Sequence, residues 1–374
     1  MKPDSKMTSS ELGRLTVIIP TISRPMFVMR QISYWSELEA QVRIIDGASR
    51  PIDMSQVEPL PENIKYLHQP SRFNDRLATA PSLIETEFAC LLPDDEFFLP
   101  TGLNVCIRHL DLHPQQIGAV GKVLQFFVDQ GVFKAFQDYD YWKNFDPELS
   151  GTSEGRLRQV LPPNKTHKIQ FAVLRREVWT EIFQTSYRDF YSTGYLYERM
   201  LNLYAAVIGE SVVLNTLLWM RSMENPPISS DAVPRDDRGG MVGWADDPNM
   251  KSELEHYFEK VRHIISQGDG VSVERADEYA RQFVFGGIEV HRQKIERTKR
   301  KVWRRIALKI VAVAPKKLKR WAKRNVSVQI LKGFDWKGYP LEQVTNQLEE
   351  RGIEFSISEL KKVEELALQL DALR

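Results

Sequence analysis

The chain has almost no cysteine. Cys90 and Cys106 are the only two in 374 residues, without CxxC spacing. That excludes a disulfide framework and a thiolate zinc site, and it leads us to expect a reducing compartment. No apolar run approaches the roughly 18 residues needed to cross a bilayer. The opening MKPDSKMTSSELGR also lacks the apolar stretch of a secretory signal. Together these absences predict a cytoplasmic protein. A net excess of charge is missing too, with 51 Lys and Arg against 50 Asp and Glu. The balance conceals an asymmetry. From Arg292 to Arg324 there are fifteen Lys or Arg and one acid, Glu296, a local charge of +14 that leaves −13 for the remainder of a chain whose total is +1. An acidic body with a basic segment predicts a localised contact with an anionic surface. What is abundant is core material, 42% hydrophobic and 10% aromatic residues. A chain of this length fits a catalytic domain plus smaller accessories.

Short apolar runs alternate with helical patterns over the first 130 residues, the signature of a parallel α/β sheet. Leu15–Pro20 reads as a buried first strand, with Ser23 capping the next helix and Pro25 in its first turn. Val42–Asp46, Asn63–His68 and Glu87–Leu92 read as further strands. Phe73–Glu85 reads as a helix broken near Pro81. Further on, Ala119–Val128 and Gln170–Leu174 are strand-like, with a polar loop between them, and Ser211–Trp219 is again a strand. Arg176–Phe183 and Gly194–Val207 read as helices, 226–248 as a long surface loop, and everything after Lys251 as helical.

Directly after the fourth strand stands Pro93-Asp94-Asp95-Glu96. Ligands of open α/β sheets bind at the carboxyl ends of the strands. Adjacent carboxylates there repel one another unless a cation is near, and hard oxygen donors suit Mg²⁺ or Mn²⁺ bridging a diphosphate. A solvated helix-capping turn is the alternative reading of the same three acids.

Four segments taken together resemble the family 2-type, GT-A fold glycosyltransferases. VIIPTISRP (17–25) is similar to that family's opening VIIPTYNRP, IIDGAS (44–49) to its VVDDGS-like second strand, and EFACLLPDDE (87–96) to its EYIxFLDxDD-like metal motif. Arg175-Arg176-Glu177 resembles its strand-then-helix acceptor segment. The resemblance covers about the first 220 residues. It departs at Pro93, which stands where the first DxD carboxylate belongs, and at Gly47 and Ala48, which leave Asp46 as the sole acid of its motif. The PDDE form resembles a bacterial subgroup. The resemblance implies an α/β GT-A catalytic domain, a Rossmann-like, mostly parallel mixed sheet, followed by a helical C-terminal region. It implies Asp95 as metal ligand, with Asp94 sharing the metal or meeting the ribose, and Glu96 behind them. It also implies nucleotide contacts from Pro20, Thr21, Arg24, Asp46, Arg76 and Asp94.

Inverting transfer needs a carboxylate to deprotonate the acceptor hydroxyl. In the family this acid opens a late helix, and here Glu198 in YSTGYLYERML is the best match, with Asp189 second and Asp246 or Asp247 behind them. His167 and Arg221 are candidates for diphosphate or acceptor contacts. The processive QxxRW motif is absent, which points to single-sugar transfer.

In the basic segment Trp303, Ile306, Ile310, Ala314, Leu318 and Trp321 recur on one helical face, interrupted at Pro315. A basic amphipathic stretch with two tryptophans matches a helix lying in the headgroup plane; packing on the catalytic domain and a nucleic-acid contact are the weaker alternatives. Ser356-Ile357-Ser358-Glu359 is a capping box ahead of a stripe of Leu360, Val363, Ala367 and Leu370, read as a module packing on a partner subunit or on the tail. The expected division is 1–14 as a flexible start, 15–250 as the catalytic domain, 251–325 as a helical region with the basic tail, and 326–374 as a small helical module. The function expected is transfer of a sugar from a nucleotide-diphosphate donor, UDP foremost, with Mn²⁺ or Mg²⁺, to a glycan or lipid-linked acceptor of a bacterial surface polysaccharide. The enzyme would sit on the inner face of the membrane through 292–324, as a possible homo-oligomer, without nucleic acid. A sugar nucleotidyltransferase and a degenerate, membrane-docking transferase domain stay open as alternatives.

Overall fold

A computed structural model describes residues 11–55, 57, 59–137, 148–162, 169–223, 240–293, 295–297 and 338–373. His167 and most of the basic segment, including both of its tryptophans, lie outside these residues.

Strands β1 (Leu15–Thr21), β2 (Gln41–Asp46), β3 (Ile64–His68) and β4 (Phe88–Leu91) form where the continuous apolar runs predict. They pair in parallel in the order β3-β2-β1-β4. Parallel strands covered on both faces need apolar residues at nearly every position, so the runs are unbroken. Helix α1 (Pro25–Trp35) follows β1. Helix α2 (Phe73–Thr79) follows β3 and tightens at Ala80–Leu83, where Pro81 removes a donor. Past the acids come β5 (Phe97–Phe98) and α3 (Pro100–Leu112).

The stretch read as a polar loop is more structured than expected. β6 (Gln116–Asp129) turns through Gln130 and Gly131, both at positive φ, into β7 (Val132–Gln137). Two left-handed residues match the twist of a two-residue hairpin. Then come β8 (Glu148–Leu149), α4 (Ser153–Val160), capped by the Thr152 hydroxyl, and the short β9 (Val173–Arg175). α5 (Arg176–Tyr187), α6 (Gly194–Ile208) and β10 (Glu210–Ser222) complete the domain. Beyond β4 the sheet continues β9-β6-β10-β5, with β9 and β5 antiparallel to their neighbours. This is the expected α/β architecture, a mixed and mostly parallel sheet, and the region after it is helical. Phe88, Phe97, Phe98 and Phe126 fill its centre, fully buried.

The end of the expected surface loop is a short helix, α7 (Met241–Asp246), and a turn at Pro248–Met250. α8 (Lys251–Ser266) and α9 (Val273–Arg281) follow. α10 (Leu341–Glu349) and α11 (Ile357–Ala372) form the C-terminal module. The module packs on the sheet, a contact that the sequence reading did not include. Tyr339 bridges Ala135 of β7, Glu354 bridges Thr216 of β10, and Lys362 lies 3.9 Å from Glu37 just past α1. Ser356 caps α11 as predicted. The other half of the box is redirected, because the Glu359 carboxylate accepts from the Thr101 amide at 3.0 Å and its hydroxyl at 2.7 Å instead. No helix among the described residues is long and apolar enough to cross a membrane.

Candidate active site

Register alone assembles the site. β1 pairs with β2 so that Thr21 lies opposite Asp46, and with β4 so that Ile18 lies opposite Leu91. β1 and β2 end together, β4 ends three residues lower at the level of Ile18, and the acids that follow it come up beside Thr21.

The turn after β1 carries Ser23 in the left-handed region at φ 54°. Ser23 does not cap α1. The cap position belongs to Arg24, whose carbonyl takes the first helical amides and whose side chain makes no cap bond. That side chain is spent on the acids. Its Nη1 donates to Asp94 Oδ1 at 3.1 Å and stands 3.7 Å from Asp95 Oδ2. The Thr21 hydroxyl donates to Asp94 Oδ2 at 2.6 Å. Asp94 is fully buried. Burial and the neighbouring Asp95 push its carboxyl up to about 6, against the pull of Thr21 and Arg24. Glu96 is pushed well above the usual carboxylate range by burial and by Asp95. Its Oε2 accepts from the Trp219 indole at 2.6 Å, and the Arg221 guanidinium lies 3.9 Å from its Oε1.

Asp46 and Arg76 brace the neighbouring strand ends from below. Asp46 accepts from the Ala48 amide at 2.9 Å and from the Tyr66 hydroxyl at 2.6 Å. Burial and that second bond push the Tyr66 hydroxyl up to about 12. Arg76, 1% exposed, donates through Nη1 to the carbonyls of Thr21 and Ile45. Its guanidinium lies so close to Gly47 that a Cβ there would meet Arg76 Cζ at 2.4 Å. The glycine that breaks the expected DDGS pattern is therefore what lets Arg76 tie the two strand ends together.

Helix α1 holds the acidic turn from behind. Gln31 Nε2 donates to the carbonyls of Asp94 at 3.0 Å and Glu96 at 2.7 Å. Its Oε1 accepts from the Trp35 indole at 2.9 Å. Arg30 Nη2 donates to the Asp95 carbonyl at 2.8 Å, with its guanidinium 4.8 Å from the ring centres of both Phe27 and Phe97. Arg30, Gln31, Tyr66 and Trp219 were not singled out from sequence. The available signal was two polar side chains on the apolar face of α1.

Thr21, Arg24, Asp46, Arg76, Asp94, Asp95 and Arg221 thus gather at the carboxyl ends of the strands, with Pro20 the last residue but one of β1. The base candidates stand on other elements. Asp189, between α5 and α6, is paired with Lys260 at 3.0 Å and His256 at 3.6 Å. Glu198 is exposed on α6. Asp246 is paired with Arg292 at 2.8 Å, and Asp247 caps the Pro248 turn. Among the described residues no three His, Cys, Asp or Glu side chains converge as a ready-made metal site.

A cavity of about 700 Å³ opens beside the Ser23 turn. Met26 and Met29 of α1, the 48–53 segment after β2, and Leu370 and Leu373 at the C-terminal end line it.

No family model matches the chain, and no curated protein matches it. Among solved structures it is similar to S. aureus TarS 1–349, with 13% identity and a TM-score of 0.45 over 96% of this chain and 90% of that one. The same protein in complex with UDP-GlcNAc gives 12% and 0.47, again over 96% and 90%. In complex with UDP it gives 11% and 0.44 over the same shares.

Proposed function

We propose that the chain is a glycosyltransferase that moves single sugars from a nucleotide-diphosphate donor, UDP foremost, to a glycan or lipid-linked acceptor in bacterial surface polysaccharide synthesis, with inversion. One observation carries the reading. The β1 turn, through Thr21 and Arg24, is bonded directly to the acids that follow β4, so cationic and anionic groups meet at the carboxyl edge of the sheet. Arg24 and the half-exposed Arg221 are the cations on hand for a diphosphate.

The donor set fits a hard divalent ion in a limited way. Asp94 has both oxygens bonded, to Thr21 and Arg24, and Asp95, 3.7 Å from Arg24 with its side chain 10% exposed, is the more exposed of the two acids. Mg²⁺ is commonly held by one or two carboxylates, with phosphates and water completing its shell. Asp95 would hold Mn²⁺ or Mg²⁺ in that way, and the ion would supply Lewis-acid relief of the charge on the departing nucleoside diphosphate. Asp46 and Arg76 keep the nucleotide wall in shape, and Glu198 or Asp189 takes the proton from the acceptor hydroxyl as it attacks the anomeric carbon. The segment 292–324 docks the enzyme on the anionic inner face of the membrane.

A thermal-shift series with uridine, UDP and UDP-sugars, with Mn²⁺ or with EDTA, tests the reading, since a specific ligand raises apparent stability by mass action. UDP-sugars with Mn²⁺ should stabilise the protein, and Asp95→Ala should remove the metal-dependent part while leaving the unliganded melting temperature in place. Indifference of the wild-type protein to every nucleotide would overturn the proposal.

A further inference from the structure

We infer that Arg30 and Gln31 are positioning residues that fix the acidic turn for a nucleoside diphosphate; the inference rests on the transferase reading above. The main-chain carbonyls of Asp94, Asp95 and Glu96 are consecutive, and each accepts a hydrogen bond from an α1 side chain. Both donors are buried, Arg30 at 5% exposure and Gln31 at 0%. A buried amide or guanidinium is unfavourable unless its hydrogen bonds are made, and the rest of this helix face is apolar, with Phe27, Val28 and Ile32. An apolar pair at 30 and 31 would pack there and leave the three carbonyls without these donors.

Three carbonyls drawn toward α1 dispose the three carboxyl groups on the other side of the turn. There Asp94 meets Thr21 and Arg24, and Glu96 meets Trp219. The clamp is itself locked. Trp35 donates to the Gln31 oxygen, which orients the amide so that its nitrogen faces the turn. The Arg30 guanidinium lies 4.8 Å from the ring centres of both Phe27 and Phe97. Groups that orient a ligand without touching the cation typically change affinity or activity by about 10- to 100-fold when removed.

The test compares uridine with UDP plus Mn²⁺ by titration calorimetry on the full chain. Uridine reports the nucleotide wall at Asp46 and Arg76, and the gain from uridine to UDP reports the acidic turn. Arg30→Met keeps the stem between the two rings and loses the bond to Asp95. Gln31→Met roughly keeps the volume and has no hydrogen to donate to either carbonyl. Both variants should reduce the UDP gain by about 10- to 100-fold and leave uridine affinity unchanged. Arg30→Lys, which retains a donor for the Asp95 carbonyl, should recover most of the gain. An unchanged UDP gain in both variants, or an equal loss for uridine and UDP, overturns the positioning role. A wild-type protein that binds UDP no better than uridine overturns the transferase reading and this inference with it, whereas a gain lost in Asp95→Ala but kept in Arg30→Met and Gln31→Met overturns the inference alone.

Discussion

Asp94 pays for its position with an unfavourable charge, and the consequence is measurable. Its carboxyl stands at about 6 rather than at an ordinary 3.8, chiefly through burial. A carboxyl raised in the folded state holds its proton more tightly there than in the unfolded chain. Its contribution to stability is therefore present below about pH 4 and is lost as pH rises through about 6. The shift corresponds to something on the order of 3 kcal/mol. Diphosphate binding with a cation runs the other way, because it favours the ionised acid. Across about pH 4 to 7, the unliganded wild-type protein should lose stability relative to Asp94→Asn, while its metal-dependent UDP affinity rises. Parallel stability profiles for the two proteins would remove the assignment. The base is a second question at this scale. Exchanging a general base for its amide costs about 10²–10⁴-fold in turnover with donor affinity spared. Glu198→Gln should show that loss. Asp189 already has Lys260 and His256 as partners, and should Asp189→Asn alone show the pattern, the roles are reversed.

Between residues and whole molecule, the elements show what the sequence made readable. The four parallel strands were found within a residue or so of their ends, because burial on both faces forces an unbroken apolar run. The acidic turn and the VIIPT turn were readable as motifs, and their meeting followed from strand adjacency. β6 was legible over Ala119–Val128, whereas β7 and α4 were hidden, since their mixed polar composition resembles a loop. The Arg30–Gln31 clamp was hidden for another reason: its acceptors are main-chain carbonyls, which have no sequence signature. The redirected Glu359 shows how tertiary contact overrides a local rule, the capping box giving way to a bond with Thr101. Close packing between elements gives the prediction of this scale. Gly102 lets α3 approach β10 so closely that a Cβ would lie 2.4 Å from the Leu217 carbonyl oxygen. Backbone cannot yield there as a flexible side chain would. Gly102→Ala should therefore cost about 1–3 kcal/mol in denaturant unfolding, as overpacking does; wild-type stability would mean that α3 moves freely over the sheet.

Charge is the property of the whole molecule that no single contact explains. A net charge of +1 is divided into +14 between Arg292 and Arg324 and −13 elsewhere. Arg292 itself is engaged with Asp246 and Glu289, so the surface-seeking charge belongs to the residues after it. The apolar stripe with Trp303 and Trp321 is read from sequence alone, and membrane docking is a proposal. Attraction between exposed charges is screened over about 8 Å at physiological salt, and each basic residue near an anionic leaflet adds about 1 kcal/mol. The full chain should accordingly sediment with vesicles containing anionic lipid at low salt, progressively less as salt rises, and hardly at all with neutral vesicles. Replacing Trp303 and Ile306 with Ser should weaken binding even at low salt, because burial of apolar area in the headgroup region is lost along with the two side chains. A purely electrostatic contact would ignore that double substitution, and a tail that packs on the rest of the chain would leave the intact protein in the supernatant at every salt concentration. The first result would leave docking to charge alone, and the second would remove the membrane proposal.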